Sequence, residues 1–334
     1  MAKKIAQFPP GDPRTDPYGF LGFVRNPDGS VARNLDMPKT PISSYDNSPF
    51  LLVKDIPINQ SNNTWVRIFL PRKAVESSPG TKLPLLIFIH GGGFVICSAA
   101  TPYFDDLYNS FTTNIPVVMV SIEYRLAPEH RLPAAYDDCM EALQWIKNSQ
   151  DEWLTKYTDL SNAFLMGSSA GANIAYHVGL HASTRFDDLK PLNIKGLILH
   201  QPFFGATKRS NSELKAVNDK ILPPCVCDVM WELSLPVGVD RDHEFCNPVL
   251  SIKSGQFDQI KALGWKILVS GYEGDSLLDH QIKLVKVLEE KGVALVAKFA
   301  EGGYHGADSF EFPKLKALCE VVKDFVKSSV AVTA

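Results

Sequence analysis

The pentapeptide Gly167-Ser168-Ser169-Ala170-Gly171 lies between an apolar run, Ala163-Phe164-Leu165-Met166, and a helix-forming stretch from Ala172 to His181. Strand, sharp turn and helix in that order bring two backbones into close approach, so small residues must flank the central serine. Ser169 is expected on a strained bend at a helix N-terminus, with its hydroxyl in open space. Upstream, His90-Gly91-Gly92-Gly93-Phe94 follows the apolar run Leu83 to Ile89. Three consecutive glycines carry an entropic cost that needs a reason. One reason is that bare backbone N–H groups can turn inward and donate to an oxyanion. A phosphate loop is the rival reading, but no Lys-Ser or Lys-Thr follows and the G-x-G-x-x-G spacing is absent.

Strand-like runs fall near 51–57, 64–70, 83–90, 116–123, 163–168, 194–201, 265–271 and 293–299. Helical patterns fall near 101–113, 134–148, 170–183, 278–291 and 313–328. This alternation predicts an α/β chain with a mostly parallel, doubly wound sheet of eight strands flanked by helices. One interval, about 205–259, breaks the alternation with short helical pieces, several prolines and no core strand. Insertions of that kind often lie over an active site. Residues 1–40 are rich in Pro, Gly, Asp and Arg and are expected to pack over the site rather than join the core. The whole chain, 1–334, is expected to form a single domain.

A net charge of −3, with both signs interspersed, argues against nucleic acid or an anionic membrane as partner. No run approaches the ~18 apolar residues of a membrane span. The basic start, Met1 to Ile5, is followed by Gln7, Pro9 and Pro10 instead of an apolar segment, so no secretory signal is read and a cytoplasmic location is expected. The six cysteines are scattered, and Cys225-x-Cys227 has neither zinc nor thioredoxin spacing, which fits reduced thiols. The tripeptides at Asn59 and Asn62 are then chance matches to a glycosylation signal. No metal and no organic cofactor is expected, and a monomer is the default.

A serine hydroxyl needs a base, and the base needs an acid to fix its tautomer. In this strand–turn–helix context the chain order is Ser, then Asp or Glu, then His. His177 and His181 lie about one turn apart on the helix after Ser169, His200 precedes any suitable acid, His243 is in the insertion, and His280 begins a helix. His305 sits in the loop Glu301-Gly302-Gly303-Tyr304-His305-Gly306 after an apolar strand, where sites of parallel sheets form. The acid falls in Gly271-Tyr272-Glu273-Gly274-Asp275, which leaves Asp275 and, less well placed, Glu273.

These motifs together resemble one family. HGGGF, Tyr124-Arg125-Leu126-Ala127-Pro128-Glu129, GSSAG, Asp275-Ser276-Leu277-Leu278-Asp279 and Gly303-Tyr304-His305-Gly306 are similar to the plant carboxylesterases of the hormone-sensitive-lipase-like branch of the α/β-hydrolases, over about 51–326. The resemblance implies an α/β-hydrolase fold with a helical cap built from about 1–40 and 205–259. It implies a triad of Ser169, Asp275 and His305, and oxyanion donors at Gly92, Gly93 and Ala170, with Gly91 the alternative. Asp279, the second acid of the motif, is expected to cap the following helix. Arg125 and Glu129 are expected to pair with each other, in a structural role, and Asp137 and Asp138 either hold neighbouring loops or favour a helix N-terminus. The implied reaction is hydrolysis of small carboxylic esters with short to medium acyl chains. Two alternatives share the fold: gibberellin receptors, which lack the histidine present here at 305, and plant dehydratases, which tend to carry a hydroxyl residue where Gly91, Gly92 and Gly93 stand. The motifs do not separate ester from amide substrates.

Overall fold

The eight apolar runs become one sheet. Its strands are β1 (Leu51–Asn59), β2 (Thr64–Pro71), β3 (Leu83–Ile89), β4 (Val118–Glu123), β5 (Thr158–Ser168), β6 (Ile194–His200), β7 (Lys266–Tyr272) and β8 (Ala294–Ala300). The computed structural model describes residues 12–76 and 80–330. The spatial order is β8-β7-β6-β5-β3-β4-β2-β1. Only β2 runs against its neighbours; every pairing from β4 through β8 is parallel. Strand β5 begins five residues earlier than its apolar pattern, because Thr158 and Asp159 pair with Leu83 and Pro84 beyond a register shift.

Leu85 to Ile89 and Ala163 to Met166 are completely buried, residue after residue. Unbroken burial means that both faces of the sheet centre are covered, and such strands read as continuous apolar runs. The covering helices are α1 (Asp105–Asn114), α2 (Ala134–Asn148), α3 (Ala170–Thr184), α5 (Leu278–Glu290) and α6 (Phe312–Ser329), while α4 (Pro224–Ser234) lies in the interval 205–259. Gly196 of β6 lies against Phe325 of α6, whereas the next residue, Leu197, lies against Gly179 of α3. Successive strand residues point to opposite faces, so α3 and α6 flank opposite sides of the sheet.

The chain leaves β3 for β4 on one side and returns to β5 on the other. The crevice at the carboxyl ends of these strands is where such sheets bind ligands. Gly91, Gly92 and Gly93 follow the end of β3, and Ser169 follows the end of β5. Residues 205–259 hold the short helix Asn211–Lys215, then α4 and the turn Pro248–Ser251, and no strand. The short helix Pro17–Phe20 packs on α4. Arg14 donates to Asn218 at 2.7 Å, tying the N-terminal segment to the insertion. Residues 1–11 of that segment lie outside the described residues.

The expected Arg125–Glu129 pair does not form. Arg125 instead grips Asp138 on α2 with its guanidinium at 2.7–3.0 Å and its backbone N–H at 2.9 Å. Glu129 pairs with Arg33, which also donates to the carbonyls of Val95 and Ala127. The reason is geometric: the loop after β4 turns Arg125 inward to an already buried acid and Glu129 outward to the N-terminal segment. Asp138 therefore holds a loop, as one of its two expected readings had it. Asp138→Ala is expected to cost about 3 kcal/mol, since it strands hydrogen-bond donors beside a buried site, whereas Glu129→Ala should cost less than about 1 kcal/mol. Urea denaturation of both variants measures the difference.

Candidate active site

Ser169 occupies a backbone conformation, φ 56° and ψ −121°, that a non-glycine residue rarely adopts. The surroundings enforce it. A Cβ at Gly167 would lie 2.0 Å from the Gly171 carbonyl oxygen, and one at Gly171 would lie 2.0 Å from that of Ile89. The turn is held further by the Ser169 N–H, which donates to the His200 carbonyl at 2.9 Å, and by its carbonyl, which accepts from Phe203 N–H at 3.0 Å.

The three residues predicted from separate parts of the chain meet here. The Ser169 hydroxyl lies 2.9 Å from His305 Nε2. His305 Nδ1 lies 3.1 Å from both oxygens of Asp275. An ionised carboxylate only accepts, so Nδ1 carries the proton and Nε2 presents a lone pair to the serine. Asp275 also accepts from Leu277 N–H at 2.9 Å, from the Gln281 amide at 2.8 Å and from the Gln201 amide at 2.6 Å. Burial disfavours the Asp275 carboxylate, but the His305 charge and these hydrogen bonds outweigh it and hold its pKa below 3.8. Burial likewise works against a charged His305, yet the Asp275 charge and hydrogen bond raise its pKa above 6.5. Glu273, the rival acid, is exposed and makes no bond to His305.

Gly92 (φ 108°) and Gly93 (φ 60°) both need positive φ. Their N–H groups donate to no backbone carbonyl among the described residues. Ala170, the first residue of α3, has no intrahelical acceptor for its N–H. Gly91 packs against the turn itself, where a Cβ would lie 3.2 Å from that of Ser169. His90 is turned away from the site: it stacks on Tyr124 at 4.2 Å and donates to the Gly91 carbonyl, and burial pushes its pKa down to about 4, so it is neutral.

Ser169, His305 and all three glycines line one cavity of about 70 Å³. Its apolar wall comes from Tyr103 and Phe104, from Phe20 and Leu21 of the N-terminal segment, and from Ile221, Leu222 and Met230 of the insertion. Larger clefts, of about 520 and 610 Å³, open elsewhere, but neither is lined by Ser169, Asp275 or His305.

The other histidines fall as structural groups. His177 is half-buried, stacked on Tyr136 and edge-on to Phe245, and desolvation of its ring pushes its pKa down to about 3. His280 donates to Glu213 of the insertion at 3.0 Å. Asp279 does not cap its own helix; its carboxylate accepts from Ser212 N–H at 2.9 Å, because the insertion's short helix docks beside it. Sequence reading missed Gln201, Gln281 and Asp308. A single glutamine carries no motif, and Asp308 lies beyond the strand-end loops that the motifs mark, yet it accepts from His200 Nε2 at 3.0 Å.

Comparisons with known proteins give the family. The α/β-hydrolase-fold family matches residues 86–309. Carboxylesterase 20 of Arabidopsis thaliana is 47% identical over 95% of this chain and 98% of its own. A 3-O-acetylpapaveroxine carboxylesterase of Papaver somniferum is 43% identical over 93% of this chain and 97% of its own. The chain belongs to the α/β-hydrolases, in the branch of the plant carboxylesterases. Among solved structures, an esterase of Pyrobaculum calidifontis superposes with a TM-score of 0.69 at 25% identity, covering 86% of this chain and 87% of the other. This carboxylesterase has, among its described residues, no helix long and apolar enough to cross a membrane.

A general-base role for His305 requires its neutral form. Because its pKa stands above 6.5, kcat/KM is expected to fall on the acid side with a midpoint above pH 6.5 and to level off at higher pH. Asp275→Asn removes the charge that raises this pKa, so the midpoint should move down while kcat drops by about 10⁴. A pH–rate profile of both proteins tests the sign.

Proposed function

We propose that this carboxylic-ester hydrolase works through Ser169 as nucleophile, His305 as general base and acid, and Asp275 as the group that orients the imidazole. The continuous chain of contacts from Ser169 Oγ through His305 to Asp275, at 2.9 and 3.1 Å, is the observation that carries the reading. Ser169 attacks the ester carbonyl as its proton passes to His305 Nε2. Negative charge develops on the carbonyl oxygen, and the free N–H groups of Gly92, Gly93 and Ala170 are aimed to receive it, with Gly91 the alternative donor. Each such donor is worth roughly 10²–10³ in rate. His305 then gives the proton to the leaving alcohol. Water, deprotonated by the same nitrogen, cleaves the acyl-enzyme and restores the serine.

The substrate we infer is a small, uncharged ester with a short acyl chain, and we place the enzyme in the cytosol as a monomer. The cavity is small and its wall apolar, which favours acetyl or butyryl over long chains. One of the plant relatives is named for an acetylated substrate. We infer that residues 12–40 and 205–259 act together as a cap, because each contributes side chains to that wall. Against the receptor reading stands His305 itself, in contact with the serine. Against the dehydratase reading, residues 91–93 are all glycine and offer no hydroxyl.

Hydrolysis of p-nitrophenyl acetate, butyrate and octanoate by wild type and Ser169→Ala tests the assignment. The expected result is turnover falling from butyrate to octanoate, and its loss by about 10⁶ in the variant. Absence of turnover in the folded wild type overturns the reading. Met230 faces Gly93 closely enough that a Cβ there would meet its sulfur at 2.2 Å. Met230→Ala is therefore expected to raise octanoate turnover relative to acetate by roughly tenfold, within the range a pocket's methylene-sized changes deliver.

A further inference from the structure

The residue that joins the three parts of the site contributes no reacting atom. Strand β6 ends at His200, between β5, which carries Ser169, and β7, which leads to Asp275. The next residue, Gln201, turns to φ 46°, one of five non-glycine residues with positive φ among those described. Its backbone N–H donates to the Ser270 carbonyl at 2.7 Å. Its side chain is buried, 1% exposed. Both ends of the amide are used. The nitrogen donates to Asp275 Oδ2 at 2.6 Å and, more weakly, to the Tyr304 carbonyl at 3.3 Å. The oxygen accepts from the Gly306 N–H at 2.8 Å.

One planar group thus holds the acid and, through Tyr304 and Gly306, the two residues that flank His305. The turn bearing Ser169 is tied to the same bend, because Ser169 N–H donates to the His200 carbonyl. Among the described residues, and His305 itself aside, no other side chain that hydrogen-bonds Asp275 also bonds the loop of His305: Gln281 bonds only the carboxylate, and its own oxygen has no partner. Loops 273–277 and 301–306 come from different strand ends and carry glycines at 274, 302, 303 and 306. Without a cross-tie, such loops would be free to drift by fractions of an ångström relative to each other. A side chain held at positive φ costs local strain, which persists only where the surroundings over-determine it.

We propose that Gln201 is a positioning residue of this esterase, whose amide sets Asp275 and His305 in register with one another. The assignment rests on the triad reading above. It requires that loss of the amide slow the chemistry without weakening substrate binding, since Gln201 does not line the substrate cavity.

Gln201→Gly and Gln201→Met test it. Glycine accepts φ 46° without strain and removes the amide, and methionine keeps the length while removing all three of the amide's hydrogen bonds. Each is expected to lower kcat by roughly 10–100-fold with KM within twofold, the range expected for sub-ångström to ångström misplacement of reacting groups. The acid limb of kcat/KM should also move to lower pH, because His305 would face a less closely held carboxylate. Thermal melting should show both variants folded but less stable than wild type, because each leaves buried polar groups unpaired, with relief of strain at φ 46° offsetting part of that cost in Gln201→Gly. A third reading needs no turnover: the low-field proton resonance of His305 Nδ1–H should shift or broaden in both variants.

Wild type and Ser169→Ala belong in the same assay. If Ser169→Ala is inactive and a folded Gln201 variant keeps kcat within twofold, the Gln201 assignment fails and the triad stands. If the wild type shows no esterase turnover, the triad reading fails, and the His305 resonance decides Gln201 alone; an unchanged resonance in both variants overturns it. If Gln201→Gly does not fold, Gln201→Met carries the same kinetic and spectroscopic tests.

Discussion

Backbone contact between the turn at Ser169 and the end of β3 governs the whole site. Gly171 brings α3 against the Ile89 and His90 carbonyls with no room for a methyl group. That closeness sets the serine at φ 56°, delivers the N-terminus of α3 beside the glycine loop, and lets Gly91 lie against the serine's own Cβ. The Ser169 hydroxyl and the backbone N–H groups of the glycine loop and Ala170 are therefore placed by one steric contact between adjacent strands. Strain at Ser169 is sustained because β5 and α3 are both buried, and neither can relax without opening the sheet.

Electrostatics completes what sterics begins. A buried carboxylate is unstable unless its oxygens are occupied, and Asp275 receives hydrogen bonds from Leu277, Gln281, Gln201 and His305. Only with the carboxylate ionised does the imidazole keep its proton on Nδ1 and turn Nε2 to the serine. Close by, His200 and Asp308 form a second buried pair, with Ser270 donating to the other ring nitrogen at 2.9 Å. Burial opposes the Asp308 charge, and His200 outweighs it, holding the acid below 3.8. This pair resembles a triad in composition but lines no part of the serine cavity; it pins the helix after His305 to the end of β6.

The insertion is fastened to the same loops. Glu213 is buried and accepts from Arg209, His280 and the Ser210 N–H, and those bonds overcome its burial to bring its pKa down to about 2. Ser212 bonds both Asp279 and the carbonyl of Ser276, the residue immediately after Asp275. The wall of the cavity and the loop of Asp275 therefore share a foundation, which links pocket shape to the geometry of the acid.

Much of this was legible in the residues alone. Eight apolar runs announced eight strands, and at the sheet centre burial on both faces leaves no freedom of composition. Ser169, Asp275 and His305 could be found because each sits in a short, glycine-marked loop at a strand end, and glycines betray backbone that must turn sharply. Arg125 and Glu129 were misread as partners, and Asp279 as a cap of its own helix, because proximity in sequence says nothing about which way a loop turns its side chains. Gln201 was invisible for a related reason. Its role depends on bonds to Asp275, Tyr304 and Gly306, 74 to 105 residues away, and on a backbone bend that no glycine advertises. Local chemistry, spacing and strand order are written along the chain; which buried amide meets which carboxylate is decided only when three strand ends come together.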